Sequence, residues 1–316
     1  MRRYMDGRYS NITLSDFADI FGTSIDDIPD LCRKVLKNSD FRYSIVSGAE
    51  REDVFLRVLN TLNSDSLKVS GPHRKQDWEK GWSENLQNYR ANKSDLRQLI
   101  PRFVKQKEII RFQGNYIVPV DPNFETNFVT FMRYYLFSKY FSDVSRVYEF
   151  GCGTGLNLVA VAELFPEKEL YGLDWSQASC EIVDELAKTL NLNLKSVLFD
   201  MFSPDRNIEL DSTCAVFTIG AMEQLGTNFK TFINFLLNKR PSICINVETI
   251  YELHDKNSLF DYLATVFLEK RNYLRGYLDY LKQLEKNGEI DILETRKTIG
   301  GLYHEAYAYT VWKPKP

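Results

Sequence analysis

The 316-residue chain has few cysteines, few histidines and no long apolar run. Its five cysteines, Cys32, Cys152, Cys180, Cys214 and Cys244, are odd in number, widely spaced and free of any C-x-x-C pair. That pattern excludes a disulfide framework and a cysteine-built zinc site, and it predicts reduced thiols in a cytoplasmic protein. No stretch approaches the ~20 apolar residues of a membrane-spanning helix, so no membrane partner is expected. The opening residues, MRRYMDGRYSNITLSD, carry charge but no apolar segment of the kind a secretory signal needs. Basic charge is not in excess: 40 Lys or Arg face 43 Asp or Glu, a net charge of −3. A dedicated nucleic-acid coat has a different balance. Repeats and low-complexity tracts are also missing.

Hydrophobic residues make up 44% of the chain and aromatics 14%, enough for a sizeable core. The length predicts about two domains. Residues 1–110 read as a mainly helical domain, an accessory unit that covers or docks substrate. One helix runs from Leu14 to Phe21 with Gly22 as its stop, and a second covers Ile25–Leu36. The layout is that of a helix-turn-helix, but Asp26, Asp27 and Asp30 would face DNA phosphates and be repelled, so a packed helical unit is expected. Between Lys68 and Arg111, eleven Lys or Arg meet five Asp or Glu. The same segment holds Trp78 and Trp82, which are costly to leave in water and should anchor it or cover a ligand. The aromatic-rich stretch Phe124–Phe141 predicts a helix buried between the halves.

Residues 111–316 alternate strand and helix signals. Strands are expected at Val147–Phe150, Leu170–Leu173, Leu194–Phe199, Ala215–Ile219, Ile243–Val247, Ile290–Thr295 and Ala306–Trp312. The fold class is therefore α/β, a doubly wound, mostly parallel seven-stranded sheet. The short Gly300-Gly301 connection predicts an antiparallel last strand in a hairpin. A helical insertion is expected at about 256–287.

The stretch from Val147 through Gly151-Cys152-Gly153-Thr154-Gly155 to Asn157 is a strand, a glycine turn and a helix start. Ligands of doubly wound sheets bind at such strand ends, where glycines bring bare backbone to the ligand. A dinucleotide fingerprint needs a small third residue at the position of Leu156, which is large. The pattern instead resembles the class I, Rossmann-like S-adenosylmethionine-dependent methyltransferases. Tyr171-Gly172-Leu173-Asp174-Trp175-Ser176 and Leu198-Phe199-Asp200-Met201-Phe202 are similar to that superfamily's second and third motifs. The resemblance spans about Val147–Trp312. It implies S-adenosyl-L-methionine as cofactor, with Gly151, Gly153 and Gly155 admitting its amino-acid portion. It further implies Glu149 near the ammonium, Asp174 on the ribose hydroxyls, Trp175 on the adenine, and Asp200 and Met201 at the adenine edge.

The fourth strand leads into Gly220-Ala221-Met222-Glu223-Gln224, which in this superfamily faces the transferring methyl. Motifs of adenine-amino, cytosine-carbon and arginine methylation are absent, and no carboxylate cluster suits a catalytic metal. Methyl transfer to a hydroxyl needs positioning and proton removal. Glu223, His304 and His254 are the candidate bases. The expected function is methyl transfer to a small polar metabolite, such as a sugar-like hydroxyl, by in-line displacement with general-base help. The alternatives are a nucleic-acid methyltransferase docking through 68–111 and a non-catalytic cofactor-binding regulator. The acceptor atom and the oligomeric state stay open.

Overall fold

The computed structural model describes residues 9–92, 95–101 and 109–315. Part of the basic segment (Lys93, Arg102, Lys105, Lys107 and Glu108) lies outside the described residues, as do the first eight residues.

The first half contains β1 (Ser10–Asn11), α1 (Leu14–Phe21), α2 (Asp30–Asn38), β2 (Arg42–Ile45), α3 (Gly48–Leu62) and α4 (Lys75–Ala91). Thr13 and Asp16 form a capping box that starts α1, and Gly22 at φ +59° stops it. Phe17 and Phe21 then stack on Phe131 at 3.8 and 5.8 Å. The second helix begins five residues later than its apolar pattern indicates. Ser24 and Asp27 bond to each other and hold a turn, and Pro29 keeps extended backbone up to Asp30. α2 packs on α5 (Phe124–Tyr140), with Cys32 Sγ donating to Phe131 O at 3.4 Å, so this is a packed helical unit.

This mainly helical part also carries an unanticipated antiparallel sheet. β3 (Ile110–Phe112) and β4 (Asn115–Pro119) form a hairpin across Gln113-Gly114, both at positive φ, the conformation of a type I′ turn.

The second half holds β5 (Arg146–Phe150), α6 (Leu156–Leu164), β6 (Glu169–Asp174), α7 (Gln177–Thr189), β7 (Leu194–Leu198), β8 (Cys214–Ile219), α8 (Lys230–Lys239) and β9 (Ile243–Glu248). It continues through α9 (Leu259–Arg271), α10 (Tyr277–Lys286), β10 (Ile290–Arg296), β11 (Ile299–Gly300) and β12 (Ala308–Pro314). Seven of these strands form one sheet in the order β10-β12-β9-β8-β5-β6-β7. All pairs from β9 to β7 are parallel, and β12 runs antiparallel to both neighbours. β8 and β9 are apolar over nearly their whole length because helices cover both faces. Strand order reverses between β5 and β8, and that switch point places the ligand crevice.

One expectation needs correction. Gly300-Gly301 is not a tight hairpin turn. Ile299 and Gly300 leave the large sheet and pair with Phe112 and Arg111, giving the small sheet the order β1-β2-β4-β3-β11. A Cβ at Gly300 would run into the backbone of His304, Glu305 and Ala306. The halves thus interlock, and apolar packing is continuous from Phe17 through Phe131 to Phe217 and Val247. The helical stretch before β10 is a pair: Asn272 at φ +50° ends α9, and α10 lays Leu281 and Leu284 on the cluster around Trp312.

Candidate active site

The glycine turn after β5 lies at the switch point. Gly151, Gly153 and Gly155 all have φ between +53° and +74°. A Cβ at Gly151 would press on Ala221, and one at Gly153 would lie 2.9 Å from the Trp82 ring. The turn is fastened from below: Gly151 N and Cys152 N donate to Leu173 O at 2.7 and 3.0 Å. Asp174, at the end of β6, accepts Gly153 N on Oδ2 (2.9 Å) and Ser176 N on Oδ1 (3.0 Å). Burial pushes its carboxyl up to about 6.

Glu149 is fully buried in β5. Its Oε1 accepts from Asn157 Nδ2 at 2.6 Å, and Asn157 Oδ1 accepts from Arg133 Nη1 at 3.1 Å. Its Oε2 has no hydrogen-bond partner among the described residues. Burial outweighs the Asn157 bond and the nearby Arg133 charge, and raises this carboxyl to about 8.

A crevice of about 500 Å³ opens beside the turn. Gly151, Asp174, Trp175 and Met201 line one side, Gly220, Ala221 and Gln224 another. The rings of Trp175 and Phe202 lie 5.8 Å apart and 20° from parallel. Trp78 and Trp82 of α4, with ring centroids 5.5 Å apart, add a third wall. Asp200 stands by the rim, where Oδ1 accepts Phe202 N at 2.9 Å and Oδ2 lies 3.9 Å from Lys75 Nζ.

The three expected bases do not converge. Glu223 sits two residues beyond Ala221 and accepts from Gln224 Nε2 at 3.2 Å. It also hydrogen-bonds the Tyr273 side chain, whose hydroxyl accepts from Arg271 Nη2 at 2.6 Å. His304 is half-buried, stacked on Phe267 (5.4 Å, 23°) and edge-on to Tyr273 (5.8 Å). His254 belongs to a separate buried network. Its Nδ1 faces Tyr251 O at 3.2 Å and its Nε2 faces Glu305 Oε2 at 3.0 Å. His254, Asp261 and Glu305 have metal-like spacing, with candidate ligand atoms within 4.8 Å of one another. The Arg111 guanidinium already supplies a cation there, bonding Asp261 and Glu305 at 3.0 Å each. Against the cost of burial, the His254 hydrogen bond and then the Arg111 charge hold the Glu305 carboxyl far below the usual range.

Sequence reasoning missed Glu248. This buried carboxylate at the end of β9 accepts Ala221 N (3.1 Å), Met222 N (3.0 Å) and Glu223 N (3.2 Å), fixing the turn that faces the crevice. An acid closing a buried, mostly apolar strand was the available signal. Glu79 of α4 was also missed. Its carboxylate accepts Ser176 Oγ at 2.7 Å and Ala178 N at 3.2 Å. The contact joins residues 97 apart in sequence and leaves no local trace. In the basic segment, Lys68 and Arg74 pair with Asp77, Arg90 with Glu181 and Glu185, Arg97 with Asp95, and Arg111 with Asp261 and Glu305.

Residues 147–235 match the family model described as a methyltransferase domain. A comparison with curated proteins finds no match. Among solved structures, the cyclase SpnF is 16% identical over 54% of this chain, with a TM-score of 0.42, and the match spans 59% of SpnF's length. Geranyl diphosphate methyltransferase, solved with its diphosphate and sinefungin, is 11% identical over 76% of this chain and 98% of its own, TM-score 0.47. Magnesium protoporphyrin IX methyltransferase from Synechocystis PCC 6803, solved with S-adenosylmethionine, is 15% identical over 60% and 80%, TM-score 0.43. Identities this low and TM-scores below 0.5 limit these likenesses to the outline of the fold. The segment that resembles a methyltransferase domain is the one that builds the glycine turn and the reversal of strand order between β5 and β8.

Proposed function

We propose that the crevice holds S-adenosylmethionine and that the chain transfers its methyl group to a small polar acceptor, with a sugar-like hydroxyl as the leading case. The observation that carries this reading is the Gly151 backbone beside Asp174 in the crevice lining, at the carboxyl ends of β5 and β6. Asp174 accepts the Gly153 and Ser176 N–H groups and a Ser179 hydrogen bond, and its remaining acceptor capacity would serve the ribose hydroxyls. The unpartnered Glu149 Oε2 is a waiting acceptor for the ammonium group. Trp175, with Phe202, offers a flat apolar wall for the adenine, and Asp200 and Met201 stand at its edge. When bound, the cofactor supplies a methyl group on sulfonium sulfur, already a good electrophile.

The remaining work falls to the chain. Glu248 fixes the turn after β8, and that turn presents Ala221 and Gln224 to the crevice. Glu223, on the same turn, takes the acceptor's hydroxyl proton, and the Tyr273–Arg271 pair orients its carboxylate. His304 adjoins this group through Tyr273, whereas His254 serves the Arg111 network. The covering unit is joined to the cofactor-binding part through the small sheet, whose strands come from both sides of residue 110, with α9 and α10 as the insertion. The pairing of Lys68, Arg74, Arg90, Arg97 and Arg111 with acidic side chains favours a closed metabolite pocket over a nucleic-acid groove.

Calorimetric titration with S-adenosylhomocysteine tests the reading. Wild-type protein should bind one equivalent. Asp174→Ala removes two charge-assisted contacts, together about 3 kcal/mol, and should weaken binding about 100-fold. Near-wild-type affinity in the variant overturns the assignment.

A further inference from the structure

The cofactor reading leaves α4 unexplained. This helix is not part of the matched methyltransferase segment, yet it forms a wall of the crevice. Two of its residues reach across to α7. Glu79 accepts Ser176 Oγ at 2.7 Å and Ala178 N at 3.2 Å, so its charge rests on the first turn of α7. Ser176 N donates to Asp174, so this contact lies one residue-step from the proposed ribose acid. About three turns further along α4, Arg90 bonds Glu185 at 2.6 Å and Glu181 at 3.2 Å on the exposed face of α7. Between the two fastenings, the Trp82 ring lies against the Gly153 backbone. At the other end of the helix, Lys75 approaches Asp200 at 3.9 Å.

We infer that Glu79 and Arg90 are positioning residues that clamp α4 over the cofactor, and that the clamp must open for the cofactor to enter and its product to leave. This rests on the crevice being the S-adenosylmethionine site. The clamp's contacts are all between protein groups and use no cofactor atom, so the same contacts are broken in both directions of exchange. Weakening it therefore speeds association and dissociation together and leaves affinity nearly constant. A fixed wall behaves differently: a change remote from the ligand moves neither rate.

The two fastenings separate these cases. Glu79→Gln keeps the shape but loses the charge on the α7 N-terminus. Arg90→Gln acts on a solvent-exposed pair that the crevice lining does not include. Rates are read by rapid filtration of radiolabelled S-adenosylhomocysteine, with melting temperature as the check on folding. Both rates should rise about tenfold in Glu79→Gln and about threefold in Arg90→Gln, with Kd changed less than about twofold. Wild-type rates in a folded Arg90→Gln protein, or a rise in dissociation alone in both variants, overturn the clamp and leave the cofactor assignment standing. Failure of wild-type protein to bind the probe overturns the cofactor assignment and the clamp with it.

Discussion

Replacing Glu149 with glutamine should remove a proton from the cofactor-binding equilibrium. Burial holds this carboxyl at about 8 in the free protein. At pH 7 such a group is about nine-tenths protonated. An ammonium brought to Oε2 favours the carboxylate, so binding drives the proton off. Calorimetry of S-adenosylhomocysteine in buffers of different ionisation enthalpy should then report release of about 0.9 proton at pH 7. Asp174, raised only to about 6, adds about a tenth. Glu149→Gln should cut the release to that tenth and weaken binding about tenfold or more.

The free protein should respond in the opposite sense. Glu149's folded value lies above its ordinary 4.5, so its contribution is harmless below pH 4.5 and increasingly destabilising up to about pH 8. At pH 7 the burden is about 3 kcal/mol. Glutamine escapes it but buries an unpaired amide donor at the Oε2 position, costing about 2 kcal/mol. The variant should therefore be about as stable as wild type or slightly more so, while binding cofactor worse. Proton release unchanged by the substitution, or absent in the wild type despite binding, would refute the reasoning.

Arg111→Met leaves Asp261 and Glu305 without their shared guanidinium and should cost about 3–5 kcal/mol in urea unfolding; a loss below 1 kcal/mol would show that the network is not structural. Gly151→Ala places a methyl against Ala221 at φ +74°, and its S-adenosylhomocysteine affinity should fall at least tenfold, whereas unchanged affinity would mean the turn has room to spare. Glu223→Gln should lower methyl-transfer turnover about 100-fold with cofactor affinity intact; full turnover across pH would remove it as the base.

Much of the large sheet was legible because its signals are local. The alternation of short apolar strands with helices wrote out the seven-stranded sheet, and of the acid-bearing strand ends Asp174 lines the crevice. α6 starts at Leu156, at the helix start expected after the glycine turn, since Gly155 immediately before it sets the boundary. The small sheet was not legible. Its strands are two to five residues long, come from both ends of the chain, and β11 hides in what reads as a glycine turn. Short strands carry too little periodicity to be seen alone, although Gln113-Gly114 between two apolar runs was a usable hairpin signal. The roles of His254 and Arg111 were invisible for a similar reason: a histidine's chemistry depends on partners that only the tertiary fold supplies, here a glutamate 51 residues away. Trp78 and Trp82 lay between these extremes. Their cost in water said they must be covered, and only the fold said by what.

The most direct measurement is a crystal structure of the protein soaked with S-adenosylhomocysteine. The ribose should lie on Asp174, the adenine on Trp175 and Phe202, and the amino-acid end on the Gly151–Gly155 backbone with its ammonium at Glu149. A crevice that stays empty at saturating ligand, or that is filled by α4's own tryptophans, would contradict the account.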